Sequence, residues 1–328
     1  MTKSRYMKSK RDYFSRHARN AIRHNSLKKT LNFIRCQYEL SRKKAKVSSL
    51  PYFFKVESSA SCHLSCPGCQ HGMADHSGDY KPHMFMNIDD FKRIVEPVVD
   101  YTFGISLSAR GEPMLNPQLE DMIAFCSENN IGTEFPTTLS MKLSRERIED
   151  IVAAGLDHML VAIDGSTQEI YGKYRVGGSL ELALENARTF IDVKRKMGKN
   201  TPFMEFKFII FDHNEHQLEA ARELSRSMGF DDFCIEVDEW SKSRNEYKEE
   251  ISKSNIRKRK ACYWPWSCLM IYYNGDVNAC CTLATSMGNV LETSIPELWN
   301  SERYRQLRAF FRDAYDCGWI PCAKCMEF

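Results

Sequence analysis

No stretch of the 328 residues strings together the roughly 18 apolar residues that a membrane-spanning helix needs. The lysines and arginines at the N-terminus lead into no apolar segment of the kind a secretory signal requires. A cytoplasmic protein is the expectation, with nothing that sets its oligomeric state. Acidic residues are almost missing from one region: residues 1–50 hold 15 Lys and Arg against Asp12 and Glu39 alone. Since the whole chain carries a net charge of +3, that excess of 13 leaves −10 for the remainder. A full set of disulfides is excluded too, because the 13 cysteines are odd in number. They cluster rather than spread, which suits metal ligation in a reducing compartment. With 43% hydrophobic residues the chain has apolar side chains for a sizeable core, in one large domain or two.

A fourth cysteine is what the segment Cys62-His-Leu-Ser-Cys66-Pro-Gly-Cys69 lacks; the next one is Cys126. Three thiols at this spacing can hold three corners of an iron–sulfur cube and leave the fourth iron open to a ligand, whereas electron-transfer clusters and structural zinc sites are closed by four. A zinc knuckle or a redox thiol cluster is the alternative for the triplet alone.

From Pro51 onward short apolar runs alternate with helical periodicity, the pattern of a parallel sheet whose strands are joined by helices. Strands are expected at 52–57, 102–107, 132–136, 158–163, 203–211 and 233–237. Helices are expected at 87–99, 117–129, 144–154 with Ser144 as N-cap, 180–197 and 215–228. Six such units make an incomplete (β/α)6 TIM-like barrel of the α/β class, with functional groups at the carboxyl ends of the strands. At those ends stand Arg110-Gly111-Glu112-Pro113, Thr137-Thr138, Asp164-Gly165 and the run from Tyr171 through Arg175 to Gly178.

The triplet, read with these segments in this order, resembles the radical S-adenosylmethionine (radical SAM) enzymes. The resemblance implies a [4Fe–4S] cluster on Cys62, Cys66 and Cys69, whose free iron binds S-adenosylmethionine. It also implies cofactor contacts from Gly111, Glu112, Pro113, Thr137 and Asp164, and a carboxylate contact from Arg175, whose planar fork of donors suits the role. A flavodoxin- or ferredoxin-type reductant is implied as partner. The sequence departs from relatives at Gly68, where an aromatic residue is common, at Ala162 in place of serine, and at Thr138 in place of asparagine.

Residues 241–261, rich in Lys, Arg, Glu and Ser, read as a charged linker between a core at 51–240 and a second part at 262–328. In that second part the apolar runs either side of Asn274-Gly275 signal a hairpin, and residues 294–311 a helix. The part resembles the SPASM/Twitch extension of radical SAM enzymes. By spacing, Cys262, Cys280, Cys322 and Cys325 can close an auxiliary [4Fe–4S] cluster, with Cys268, Cys281 and Cys317 left over; four-cysteine zinc is the alternative.

The reaction implied is hydrogen abstraction from carbon, with oxidation of a sugar-like or carrier-linked small molecule expected because no leader-peptide-binding domain is evident before the barrel. A peptide-modifying maturase is the alternative, and a non-catalytic metal protein that binds nucleic acid is the alternative of another class. The basic arm at 1–50 carries Leu27, Leu31, Ile34 and Tyr38 at helical spacing, with Phe14 and Ala18 extending the stripe. It reads either as an amphipathic helix lying on an anionic membrane or on nucleic acid, or as one whose apolar stripe packs on the core with its lysines in water.

Overall fold

A computed structural model describes residues 18–69, 84–237, 262–280 and 286–313. The linker at 241–261, Phe14 of the arm, and Cys281, Cys317, Cys322 and Cys325 lie outside these described residues. The strands are β1 (Phe53–Val56), β2 (Gly104–Ser106), β3 (Gly132–Thr137), β4 (His158–Ala162), β5 (Phe203–Ile210), β6 (Asp232–Val237), β7 (Cys268–Ile271), β8 (Asp276–Asn278) and β9 (Ser286–Asn289). They form one sheet in the order β6-β5-β4-β3-β2-β1-β7-β8-β9. From β6 to β7 every neighbouring pair is parallel. The six expected strands of the core are all present, each within two residues of its expected limits.

The helices that cross between them are α2 (Ile88–Val95), α3 (Leu119–Glu128), α4 (Arg145–Ala154), α5 (Gln168–Tyr174), α6 (Leu180–Lys196) and α7 (Leu218–Met228). Helix α4 begins where expected, because the Ser144 side chain accepts from the Arg147 amide. Successive strand residues point to opposite faces. One face carries Phe54, Val56, Ile105, Phe135, Met159, Val161, Phe206 and Phe208 into the main core beneath the helices. The alternate positions put Lys55, Ser106, Glu134, His158, Glu205 and Lys207 on the other face, where His158 pairs with Glu205 at 2.9 Å and Lys207 with Glu236 at 2.7 Å.

The arm closes the end of the sheet at which the strands begin. Residues 18–23 are helical, and α1 (Leu27–Ser41) follows after a turn. Asn20 fits against Gly104 and Gly132, where a Cβ would stand 3.2 and 2.9 Å from it. The His24 ring meets the Asp157 carboxylate at 2.9 Å. Helix α1 does pack on the core, but not by its apolar stripe. The buried positions are Lys29, Asn32, Cys36 and Glu39, and the stripe faces outward. The reason is that the strand-start loops present backbone groups in need of partners. Lys29 donates to the carbonyls of His24 and Asn130, Asn32 exchanges hydrogen bonds with Leu50, and Glu39 accepts from the amides and hydroxyls of Ser48 and Ser49.

The core and the C-terminal part share the sheet, since β7 lies parallel beside β1 with Phe53 opposite Cys268 and Val56 opposite Ile271. Before β7 comes the single turn α8 (Trp264–Ser267). The expected hairpin is present as β7 and β8, antiparallel across a turn in which Gly275 takes φ +84°. The helix expected at 294–311 is instead two helices, α9 (Ile295–Trp299) and α10 (Glu302–Arg312). Between them the Asn300 side chain bonds both backbone groups of Val47, and Ser301 starts the next helix by accepting from the Tyr304 amide.

Candidate active site

The loop leaving β1 carries Cys62, Cys66 and Cys69, all free thiols. Two other segments are bonded to it. The Glu112 amide donates to the Ser61 carbonyl at 2.8 Å, and the Ser65 amide donates to the Val176 carbonyl at 3.0 Å. Gly111 makes the first of these approaches possible: a Cβ there would lie 2.3 Å from the Ser59 oxygen and 2.6 Å from the Ser61 oxygen. Only glycine fits. Pro113 then starts a short 3-10 turn, Pro113–Leu115.

Glu112 is buried. Its carboxylate accepts from the Met114 amide at 3.2 Å and from the Thr138 amide at 3.0 Å, which fixes it beside the loop. Thr137, at the end of β3, accepts from the Leu139 amide at 3.1 Å, supporting the left-handed turn at Leu139 (φ +51°). Asp164 follows β4 and is fully buried. One of its oxygens accepts from the Ile209 amide at 2.7 Å, and the other meets Arg175 Nε and Nη2 at 2.6 Å. Asp164 therefore fixes the Arg175 guanidinium in place. Arg175 itself caps α5 and reaches Cys66 Sγ with Nη1 at 3.8 Å.

The electrostatics are polarised across the loop. Burial works against the Arg175 charge, but Asp164 and the Cys66 sulfur more than offset it, so the guanidinium is held above its ordinary range. Burial pushes the Cys62 thiol up to about 12, helped by Glu112 and by Cys66 and Cys69. Burial also raises Cys66, opposed by Arg175. Thiols so placed favour the thiolate only when a cation is there to take it, which is the chemistry of a metal-ligand set. Among the described residues no three His, Cys, Asp or Glu groups converge on a point where one ion would sit. A cube does not ask that of its thiolates, which bind separate irons. Three cysteines on one loop, with the Arg175 guanidinium beside Cys66 and the Glu112 carboxylate held beside Ser61, are a donor set that fits an iron–sulfur cluster.

The second cysteine set gathers beside β7. Cys262, Cys268 and Cys280 share a small cluster with Phe53, Trp264 and Met270. Cys268, left over by spacing, is thus in the same cluster as Cys262 and Cys280, and it is buried. Between the two sets lies a pair that the sequence reading did not assign. Arg110 forks onto Glu57 with bonds of 2.7 and 2.9 Å and lies 4.1 Å over the Tyr272 ring. Glu57 is fully buried at the end of β1. A carboxylate closing an apolar strand was the available signal.

Comparison with known proteins bears on the whole arrangement. Residues 56–224 match the model of the radical SAM superfamily, and residues 262–326 that of the SPASM iron–sulfur cluster-binding domain. A probable GTP 3',8-cyclase of Methanococcus maripaludis is 26% identical over 179 residues, 54% of this chain and 55% of that protein. A PqqA peptide cyclase of Rhodopseudomonas palustris is 26% identical over 140 residues, 43% of this chain and 35% of that protein. The chain thus spans about half, or less, of the length of these relatives. The crystal structure of Streptococcus suis SuiB bound to S-adenosylmethionine superposes with a TM-score of 0.62 at 16% identity, covering 82% of this chain and 70% of that one. At that identity the likeness speaks for the fold. The chain belongs to the radical SAM superfamily, with a C-terminal SPASM domain, and its cofactors are S-adenosylmethionine, the [4Fe–4S] cluster that binds it and auxiliary iron–sulfur.

Proposed function

We propose that the protein is a radical SAM oxidoreductase that removes hydrogen from a carbon of a polar, sugar-like or carrier-linked small molecule. In this reading Cys62, Cys66 and Cys69 hold the reactive cluster, Glu112 faces the ammonium of the cofactor and Arg175 its carboxylate. Gly111 and Pro113 shape the turn that presents Glu112, Thr137 supports the neighbouring loop, and Asp164 keeps Arg175 charged and aimed. Cys262, Cys280, Cys322 and Cys325 hold the auxiliary cluster. When bound, these groups would supply a 5′-deoxyadenosyl radical that takes hydrogen from carbon and an acceptor for the electron that the substrate radical loses, together with a proton, on becoming the oxidised product.

The observation that carries the proposal is the placing of opposite charges on the two sides of the cysteine loop, Arg175 within 3.8 Å of Cys66 and Glu112 bonded beside Ser61. The polar inner face of the sheet supports a polar substrate, because Lys55 and Glu134, which stand there beside the His158–Glu205 and Lys207–Glu236 pairs, would lack partners against an apolar one. The peptide-modifying reading is kept because of the match to a peptide cyclase.

Anaerobic reconstitution tests the proposal. About eight irons per chain and formation of 5′-deoxyadenosine on reduction are expected, with both the cleavage and about half of the iron lost when Cys62, Cys66 and Cys69 are replaced by alanine. Cleavage that survives the triple replacement refutes it. Stimulation of cleavage by peptides and not by polyols or amino sugars would move the assignment to peptide modification.

A further inference from the structure

We propose that the outward face of α1 is a docking surface for an anionic lipid bilayer. Leu27, Leu31, Ile34 and Tyr38 recur at i, i+4, i+7 and i+11, one line along the helix, and are 76%, 53%, 58% and 52% exposed; Ile22, in the short helix before it, is 80% exposed. Single exposed apolar side chains are ordinary. Four along one line are not, and such a row marks a contact surface. Among the described residues this face is open, because the opposite one, through Lys29, Asn32, Cys36 and Glu39, is spent on the floor of the barrel.

Charge selects the occupant. Lys28, Arg35 and Arg42 run along one flank of the stripe, and Lys43, Lys44 and Lys46 follow it. Lys28 pairs with Asp100 at 2.6 Å, and Lys44 stands 4.8 Å over the Tyr38 ring. The one acid within residues 18–50 is Glu39, buried and saturated by Ser48 and Ser49. Aliphatic side chains bordered by cations match an interface of acyl chains and anionic headgroups. Nucleic acid would satisfy the cations but offer nothing to Leu31 and Ile34, which neither stack on bases nor bond to them. A second copy packed on the same face would bring the two cationic flanks together. A cavity of about 430 Å³ lined by Phe33, Tyr52, Phe103 and Tyr263 lies at the same end of the barrel. The arm covers the starts of the strands and the cysteine loop leaves their ends, so docking by this face turns the reactive end toward water.

Sedimentation of the full chain with phosphatidylcholine vesicles, with and without phosphatidylglycerol, tests the proposal. The wild type should partition onto the anionic vesicles about tenfold more strongly than onto the neutral ones at low ionic strength, and less as salt rises. Leu31→Glu combined with Ile34→Glu should weaken that binding at least about tenfold while iron content and cofactor cleavage are unchanged. Arg35→Glu combined with Arg42→Glu should weaken it and flatten its salt dependence. Failure of the wild type to sediment, or equal sedimentation of the Leu31/Ile34 variant, overturns the proposal. So does a dimer that the same variant dissociates, which would give the face to a second copy. Retention on single-stranded RNA with no vesicle binding would give the charge to nucleic acid and overturn it as well.

Discussion

Gly111→Ala is the substitution on which the description of the site most directly depends. The added carbon would meet the Ser59 oxygen at 2.3 Å, the Ser61 oxygen at 2.6 Å and the Ala60 carbonyl carbon at 2.7 Å. All three are backbone atoms of the segment that leads into Cys62, so no side chain can swing aside. To reach even 3.0 Å the closest contact must open by about 0.7 Å, and the hydrogen bond from the Glu112 amide to Ser61 spans this same gap. Either Glu112 withdraws from the cysteine loop or the loop withdraws from Arg175.

A misplacement near 1 Å costs a reaction that depends on orientation about 100-fold. The expected result is therefore a fall of about that size in reductive cleavage of the cofactor, with iron content near wild type because all the thiols remain. Gly172→Ala is the control, since its Cβ would stand 3.5 Å from the Gln168 side chain, an ordinary contact. That variant should cleave at the wild-type rate. Cleavage by the Gly111 variant within threefold of wild type would refute the reasoning.

Two further expectations concern buried charge. Asp164→Ala strands the nearly buried guanidinium of Arg175 and should lower the unfolding free energy by about 3–5 kcal/mol. Adding Arg175→Ala should recover part of that loss in a double-mutant cycle by urea unfolding, and strict additivity would show that the two residues are not coupled. Lys29 is lowered by burial from 10.5 to about 8. Between those values the unfolded chain keeps a proton that the folded one has released, so Lys29 makes stability rise with pH through that window. The denaturation midpoint of wild type relative to Lys29→Met should climb from pH 8 to pH 10, and a flat difference would contradict the assignment.

What was legible in the sequence was what is local. Cys62, Cys66 and Cys69 lie within one loop, and their spacing together with the segments at the strand ends pointed to the family that the comparison shows. The Gly111–Pro113 turn and the six strands are marked by residues that act on their own backbone. The bond from Glu112 to Thr138 and the pairing of Arg175 with Asp164 could be placed at strand ends, but not as contacts. The Glu57, Arg110 and Tyr272 assembly was not legible, because its members are distant in sequence and meet only when β7 adds to the sheet beside β1. Helix α1 shows a different limit. Its periodicity announces one apolar face and one polar face, and periodicity cannot say which is buried. Backbone groups at the strand starts decided that, and they chose the polar face. The break at Asn300 has the same origin, since Val47 supplies the partner that an uninterrupted helix would have left without its side-chain bonds.

The register of β7 against β1 also fixes where the cysteine loop begins. Cys268 lies opposite Phe53, the first residue of β1, and Ile271 opposite Val56, its last. From Phe53 to Val56 the strand rises three steps, about 10 Å, so Cys268 and the strand end from which the cysteine loop leaves stand at opposite ends of this pair. At the loop end Glu57 follows Val56, and Arg110 is forked to it and laid over Tyr272, the residue after Ile271. The Glu57 amide also donates to the Ile271 carbonyl at 2.8 Å. Side chains and backbone from both parts of the chain therefore meet where the loop carrying Cys62 starts, which gives the parallel pairing of β1 with β7 a role beyond stability: it sets the position from which that loop departs.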